Sequence, residues 1–367
     1  MENLIDYRKR ARKGKPVSLP YQGNKKRIAK PFMQFLLEKH GLPAEVGNFT
    51  FYDIFAGGLA MTAEAAICNV PTISNVYDKR ILPILEYMFS LEYRHIDILV
   101  DLQTFYEIRN KPHKNGKEHL ILMCNSWGYT SREYIYAKET AEIKHNLAMD
   151  ILRNHASPQN YKQTATYKQA ACLSPACRTG RGRQVEKMQR LENETIQGSQ
   201  WENGQIKQVT FHRCQFSVEQ LQRLQQLERV QQLQCLQQVE QVQNSMQLQN
   251  LLVGAGKTQF SQLDFADVKI TAENAVIYCD PPYYGYMNSK YDGYIEETAF
   301  DWARFLDWLD VVKRLDNVQA VYLSHYGNPF LDRLFGEPCL DCGCGSLLQR
   351  GGNRRDSLTR EMVYRVK

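Results

Sequence analysis

Phe49-Thr-Phe-Tyr-Asp-Ile-Phe55-Ala-Gly-Gly58 is the stretch on which the fold class turns. Its first seven residues are mostly aromatic and β-branched and read as a strand, and Ala60 to Asn69 read as a helix. The glycine pair between them lets backbone approach a ligand closely, with the helix N-terminus behind it. Outward from there, Ile73-Ser-Asn-Val-Tyr-Asp78 reads as a second strand and Leu82 to Leu91 as a second helix. That alternation, over residues 16–104, is the rhythm of a βαβ unit with a parallel sheet. It resumes near the other end. Ala275-Val-Ile-Tyr-Cys-Asp280, Val318 to Ser324 and Arg360-Glu-Met-Val-Tyr-Arg-Val366 read as strands. Between the first two lies a helix from Phe300 to Leu315, with Trp302, Phe305, Leu309, Val312 and Leu315 at helical spacing. The simplest architecture is one α/β domain built from residues 1–104 and 256–367 and interrupted by an insertion over 105–255.

Of the 367 residues, 43% are hydrophobic and 11% aromatic, enough for a real core, which excludes a disordered chain or a disulfide-stapled miniprotein. No apolar run approaches the roughly 18 residues of a membrane span, and no signal-peptide pattern opens the chain. A cytoplasmic protein that makes no use of a membrane is expected. The ten cysteines are irregularly spaced and read as reduced thiols. The net charge of +6 hides an asymmetry, because residues 1–30 carry ten basic side chains against Glu2 and Asp6. The basic arm over residues 1–15, with Arg8, Arg10, Arg12 and Lys13, suits a polyanion held through phosphate contacts; the alternative is a solvated tail.

The insertion is polar and poor in convincing strands. Within it, residues 217–252 hold 13 glutamines, with Val218, Leu221, Leu224, Leu227, Val230, Leu233, Leu236, Val239 and Val242 recurring every third position. At about 100° per residue such a line winds around a helix instead of forming one face. Glutamine and leucine favour helix, so a helix is expected, either as a tolerated spacer or as a partner-binding or DNA-tracking element.

The sharpest chemical signal is Cys279-Asp280-Pro281-Pro282-Tyr283-Tyr284 at a strand end. In doubly wound sheets, ligands bind outside the carboxyl ends of the strands. The prolines fix φ and remove two backbone donors, leaving a stiff turn that offers acceptors. Asp280 and the Pro281 carbonyl can accept from one amino group while Tyr283 presents a flat face to a planar base. The plain alternative is a strand-ending turn. Asp78, ending the second strand, is an acidic residue of the kind that binds ribose hydroxyls.

Taken together, these residues resemble the Dam-type, phage-like DNA adenine-N6 methyltransferases. Pro20-Tyr21-Gln22-Gly23-Asn24-Lys25 matches the N-terminal motif of that family, and Asp53-Ile54-Phe55-Ala56-Gly57-Gly58 its glycine motif. Asp78 matches the ribose-binding residue, Asp264-Phe265 the motif at the cofactor adenine, and Asp280-Pro281-Pro282-Tyr283 the catalytic tetrapeptide. The resemblance covers residues 16–104 and 256–367 and implies a Rossmann-like methyltransferase fold. That fold has a mixed, mostly parallel sheet and an inserted, mainly helical target-recognition region. S-adenosyl-L-methionine is the implied methyl donor, and the N6 amino group of a flipped-out adenine in double-stranded DNA the implied acceptor. On this carry-over, Tyr21, Gly23, Asn24, Lys25, Asp53, Phe55, Ala56, Gly57, Gly58, Asp78, Asp264, Phe265 and Asp280 surround the cofactor. Asp280, Pro281, Pro282 and Tyr283 carry the reaction. No metal is implied.

Two departures stand out. Leu59 occupies a place where the family often has glycine, and the recognition region shows Asn125-Ser-Trp127-Gly-Tyr129 with Arg132 in place of the pattern of GATC readers. Asn125, Trp127, Tyr129 and Arg132 are candidate DNA contacts, with a polar loop packed on the core by Trp127 as the alternative. Gly254-Ala-Gly-Lys-Thr258 lacks the leading glycine of a phosphate loop, since Leu251 stands there. Cys339, Cys342 and Cys344 with Cys172 and Cys177 read as thiols ahead of a zinc site, and Tyr284 to Tyr294 as a flap over the target base or a wet loop. The resemblance leaves room for a restriction endonuclease partner and for a bacterial or phage-infected cell as setting. The rival readings are another amine acceptor (cytosine N4, RNA or a protein amide) and a catalytically inactive DNA-binding relative.

Overall fold

A computed structural model of the chain describes residues 13–14, 16–41, 49–138, 141–153, 196–202, 205–211, 238–253, 257–284, 300–345 and 360–367. The chain divides into two compact units. One comprises Met1–Tyr93, His113–Met123 and Asn244–Lys367, the other Arg94–Pro112 and Cys124–Gln243.

The first unit is an α/β fold around a seven-stranded sheet. Its strands are β1 (Thr50–Asp53), β2 (Thr72–Asn75), β3 (Thr258–Ser261), β4 (Ala275–Cys279), β5 (Val318–Tyr326), β6 (Leu340–Gly345) and β7 (Arg360–Arg365), in the order β3-β2-β1-β4-β5-β7-β6. The first five run parallel, and β7 is antiparallel to both β5 and β6. The helices of this unit are α1 (Lys26–His40), α2 (Ala60–Ile67), α3 (Ile81–Phe89), α4 (Gly116–Cys124, whose last residue falls in the second unit), α5 (Trp302–Val312) and α6 (Pro329–Phe335).

Strand side chains alternate between two faces. Phe51, Val276, Tyr278, Ala320, Tyr322 and Val363 join Ile28, Phe32 and Leu36 of α1 and Ala60 and Met61 of α2 in one core. Tyr52, Ala275, Ile277, Cys279, Val321 and Leu323 join Phe305, Leu309 and Val312 of α5 in the other. Central strands apolar on both faces are what a helix-covered parallel sheet requires. Asp301 starts α5 by accepting the Arg304 N–H at 3.0 Å, and Asn328 starts α6 by accepting the Phe330 N–H at 2.9 Å.

In the second unit, helices run over Leu102–Arg109 and Ala141–Arg153. The strand-poor reading of residues 105–255 is corrected by an antiparallel hairpin, Ile196–Glu202 with Gln205–Phe211. Glutamine, serine and glycine on both faces obscure its period of two, although Asn203-Gly204 between the strands is the strongest short hairpin signal a sequence offers. Of the repeat, residues 217–237 lie outside the described residues and 238–253 are helical. Val239, Val242, Ser245, Leu248 and Leu252 are buried there, in steps of three and four that spread over about half of the helix circumference. Among the described residues no helix is long and apolar enough to cross a membrane.

Candidate functional site

The parallel strands of the first unit end on one edge of the sheet. β1 ends on Asp53, β2 on Asn75, β3 on Ser261, and Asp280 follows β4 directly. Asn75 ties this edge together. Its amide donates to the carbonyls of Ile54 (3.2 Å) and Leu263 (2.9 Å), and its Oδ1 accepts from Ser261 Oγ and from the Leu263 N–H.

The segment Ser18–Lys25 lies against the glycine turn. The Leu19 N–H donates to the Gly58 carbonyl at 2.9 Å, and Asn24 Nδ2 donates back to the Leu19 carbonyl at 2.7 Å. A Cβ on Gly58 would sit 2.6 Å from Tyr21 Cβ and 2.9 Å from Asn24 Nδ2, so only glycine fits there. Gly57 has φ +44°, and a Cβ on it would lie 3.1 Å from the Tyr21 ring. Leu59, where the family pattern has glycine, adopts the left-handed conformation at φ 66° and ψ 26° and precedes α2. The backbone shape that glycine would favour is thus kept by a leucine whose side chain is buried.

Asp53 is 1% exposed. Its Oδ2 accepts from the Thr62 hydroxyl at 2.9 Å, and that hydroxyl also meets Ser74 Oγ at 2.7 Å. Its Oδ1 is buried with no hydrogen-bond partner among the described residues. Burial first, and then the negative charge of Asp280, raises its pKa to about 7. A buried carboxyl group with one bare oxygen is a receptor for a donor, preferably a cationic one.

Asp280 sits in a denser network. Its Oδ1 accepts from Ser324 Oγ at 2.8 Å, and that hydroxyl in turn accepts from Tyr278 Oη at 2.9 Å. Its Oδ2 faces Lys25 Nζ at 2.9 Å, and the same ammonium is 3.0 Å from Glu361 Oε1 and 5.0 Å from the centre of the Tyr283 ring. Burial raises the Asp280 pKa; Lys25 opposes that shift and Glu361 adds to it. Tyr283 Oη donates to Glu361 Oε1 at 2.6 Å, and its ring lies over His325 at 4.5 Å. His325 Nε2 accepts the Tyr284 N–H at 2.8 Å, so the ring proton resides on Nδ1 and donates to the Tyr326 carbonyl at 2.7 Å. Burial lowers the His325 pKa and keeps that imidazole neutral. Trp302 Nε1 donates to the Pro282 carbonyl at 3.0 Å. These two bonds brace the turn. The Pro281 carbonyl has no hydrogen bond among the described residues and remains a spare acceptor beside Asp280.

The flank at β2 and β3 differs. Asp78 is buried with Arg80, whose Nε and Nη2 bond both carboxylate oxygens (2.6 to 3.1 Å) while its backbone N–H adds a bond of 2.9 Å. Asp264 receives both Arg304 Nη atoms, at 3.0 and 2.6 Å, and burial that pushes its pKa up is outweighed by that guanidinium, which holds it below the usual range. Phe265 and Phe55 pack together with Phe300 and Phe305, and the Ala56 N–H donates to the Asn75 carbonyl at 3.1 Å. The structure thus gathers Tyr21, Gly23, Asn24, Lys25, Asp53, Gly57, Gly58, Asp280 and Tyr283 closely, and it sets Asp78 and Asp264 in arginine clasps.

In the second unit Asn125 is fully buried. Its amide donates to the Ile98 carbonyl at 2.7 Å and accepts from Gln238 Nε2 and the Val100 N–H, which gives it an interior task in place of a base contact. Trp127 is 54% exposed and does not pack on the core. It begins a short 3-10 turn in which Gly128 and Tyr129 have φ of 61° and 64°, and Arg132 beyond it is exposed. Lys13 is exposed, while Arg8, Arg10 and Arg12 lie outside the described residues, as do Cys172, Cys177, residues 254–256 and residues 285–294. Cys339 is a thiol pushed up to about 12 by burial, donating to the Val363 carbonyl; Cys342 and Cys344 stand on β6. Sequence reasoning missed Ser324, His325, Trp302, Glu361 and Asn75. Only Ser324 and His325 carried a signal, as polar residues at the end of an apolar strand.

No family model and no curated protein sequence matches the chain.

Proposed function

We propose that the chain is a DNA adenine-N6 methyltransferase that uses S-adenosyl-L-methionine. The observation that carries this reading is the pairing of two corners on adjacent strands. A braced Asp280-Pro281-Pro282-Tyr283 turn with a spare carbonyl acceptor stands beside Asp53, whose buried Oδ1 lacks a donor. The strand order, with its closing antiparallel hairpin, is consistent with a Rossmann-like methyltransferase.

The residues suit the cofactor at its methionine end, where Asp53 Oδ1 can accept from an ammonium and Tyr21 and Asn24 pack over the glycine turn. Asp78 and Asp264 would hold the ribose and adenine after rearrangement of Arg80 and Arg304. S-adenosylmethionine supplies a sulfonium-bound methyl group. The residues of this chain position the acceptor: Asp280 and the Pro281 carbonyl orient an amino group, and Tyr283, set over His325, stacks on the base. Extruding the base from the duplex frees that amino group from its base pair and exposes both ring faces. The exposed Trp127 and Arg132 of the second unit suit a DNA surface.

Expression in a strain without endogenous methylation, followed by sequencing of its DNA for modified bases, tests the reading. N6-methyladenine in a fixed context is expected with the wild type and none with Asp280→Ala. N4-methylcytosine would move the acceptor to the rival class, and unmodified DNA with folded protein would favour the inactive DNA-binding relative.

A further inference from the structure

We propose that Glu361 is a positioning residue of this site, a second seat that keeps the Lys25 ammonium paired when an acceptor amine takes its place on Asp280. The inference rests on the methyl-transfer reading above. Glu361 enters from β7, opposite Tyr326 of β5 in the antiparallel ladder. It is distant in sequence from Lys25 and Asp280, and no motif announces it.

Occupancy supplies the reasoning. The Ser324 hydroxyl takes one of the two lone-pair sites of Asp280 Oδ1, which leaves Oδ2 the greater capacity for an incoming amine. Lys25 Nζ stands 2.9 Å from that oxygen. An ammonium that gives up Asp280 in a site where its side chain is 13% exposed keeps the Gly23 carbonyl at 3.1 Å, but losing a carboxylate there is costly. Glu361 Oε1, already 3.0 Å from that nitrogen, removes the cost, since the ammonium gives up one carboxylate and keeps the other. No covalent bond changes. The same oxygen accepts from Tyr283 Oη at 2.6 Å, so the seat for Lys25 also fixes the ring that would stack on the base. The charged and titratable groups facing this pair are Lys25, Asp53 of β1, Tyr278 and Cys279 of β4, and Tyr283 of the turn; His325 of β5 faces Lys25.

The test compares wild type, Glu361→Gln, Glu361→Asp, Lys25→Met and the Lys25→Met/Glu361→Gln double variant in tritiated methyl transfer to unmethylated DNA. Glu361→Gln keeps the shape and an acceptor for Tyr283 and removes only the charge. Its kcat/KM is expected to fall about 10-fold, mainly through KM for DNA. Its acid limb should move to lower pH, because a neighbour that pushes Asp280 up has gone. Glu361→Asp should recover part of the loss, and the double variant should be no worse than Lys25→Met alone. Losses that multiply in the double variant, or an unmoved acid limb with an unchanged melting temperature, would overturn the role of Glu361 while leaving the methyl-transfer reading intact. A wild type without transfer to any DNA would overturn that reading, and this inference with it.

Discussion

The ends of β1 and β4 and the flank beyond β2 and β3 each carry two aspartates, and the two pairs are partnered in different ways. Asp53 and Asp280 are both pushed up by burial, Asp53 further by the charge of Asp280 and Asp280 by that of Glu361, with Lys25 as the counter-charge of Asp280. Asp78 and Asp264 are each closed by a two-pronged arginine. The same residue type at the same edge of one sheet is left receptive in the centre and satisfied at the flank. A carboxylate has about four lone-pair sites, and three N–H groups of Arg80, with Nε–H shared between both oxygens, occupy most of those of Asp78. A ribose hydroxyl can bond Asp78 fully only if Arg80 moves, whereas Asp53 keeps a buried oxygen that nothing among the described residues bonds.

The comparison breaks hardest at Arg80. Arg80→Met would leave Asp78 buried without its cation, and breaking such a pair costs roughly 3–5 kcal/mol. A chemical-denaturation midpoint well below that of the wild type is the expected result. An unchanged midpoint would mean that the clasp contributes nothing and that Asp78 is as open as Asp53.

Asp280→Ala should behave in the opposite way. Lys25 keeps Glu361 after the substitution, so the fold should hold. Methyl transfer should fall by roughly 10² to 10³, the scale on which preorganised polar groups act. Single-turnover transfer and a thermal melt on the same preparation separate the two effects. Loss of stability with a proportionate loss of rate would make Asp280 another structural aspartate and dissolve the contrast with the flank.

How much of this was legible beforehand follows from the reach of each interaction along the chain. The strand-turn-helix reading at Asp53–Gly58 and the stiff turn at Asp280–Tyr283 are local, set by glycine freedom and proline geometry, and both stand close to where the residues placed them. Asp78 and Arg80 are only two positions apart, yet nothing in the sequence says that the arginine folds onto the acidic residue. Ser324, His325 and Glu361 reach the site only through the order of strands β4, β5 and β7, which no local pattern encodes. Asn125 erred in the other direction: a polar residue in a polar stretch reads as exposed, and its burial depends on Ile98, Val100 and Gln238.

The smallest expected effect separates the two central aspartates by pH. The native pKa of Asp53, about 7, lies above its unfolded value of 3.8. Between those values the folded state binds more protons than the unfolded one, so its contribution to stability declines as pH rises and levels off above about pH 7. On the proposed reading a ligand ammonium on Oδ1 favours the ionised form, so cofactor binding would release a proton below pH 7. Apparent affinity for S-adenosylmethionine should therefore strengthen from pH 5 to pH 7. Asp53→Asn removes both slopes and should weaken binding about 10-fold at pH 7.5, the cost of one charge-assisted hydrogen bond. Titration calorimetry in buffers of different ionisation enthalpy reads the released proton directly. A wild-type affinity that is flat across this range, equal to that of Asp53→Asn, would show that the bare oxygen meets no cation and that Asp280 alone is the receptive carboxylate at this edge.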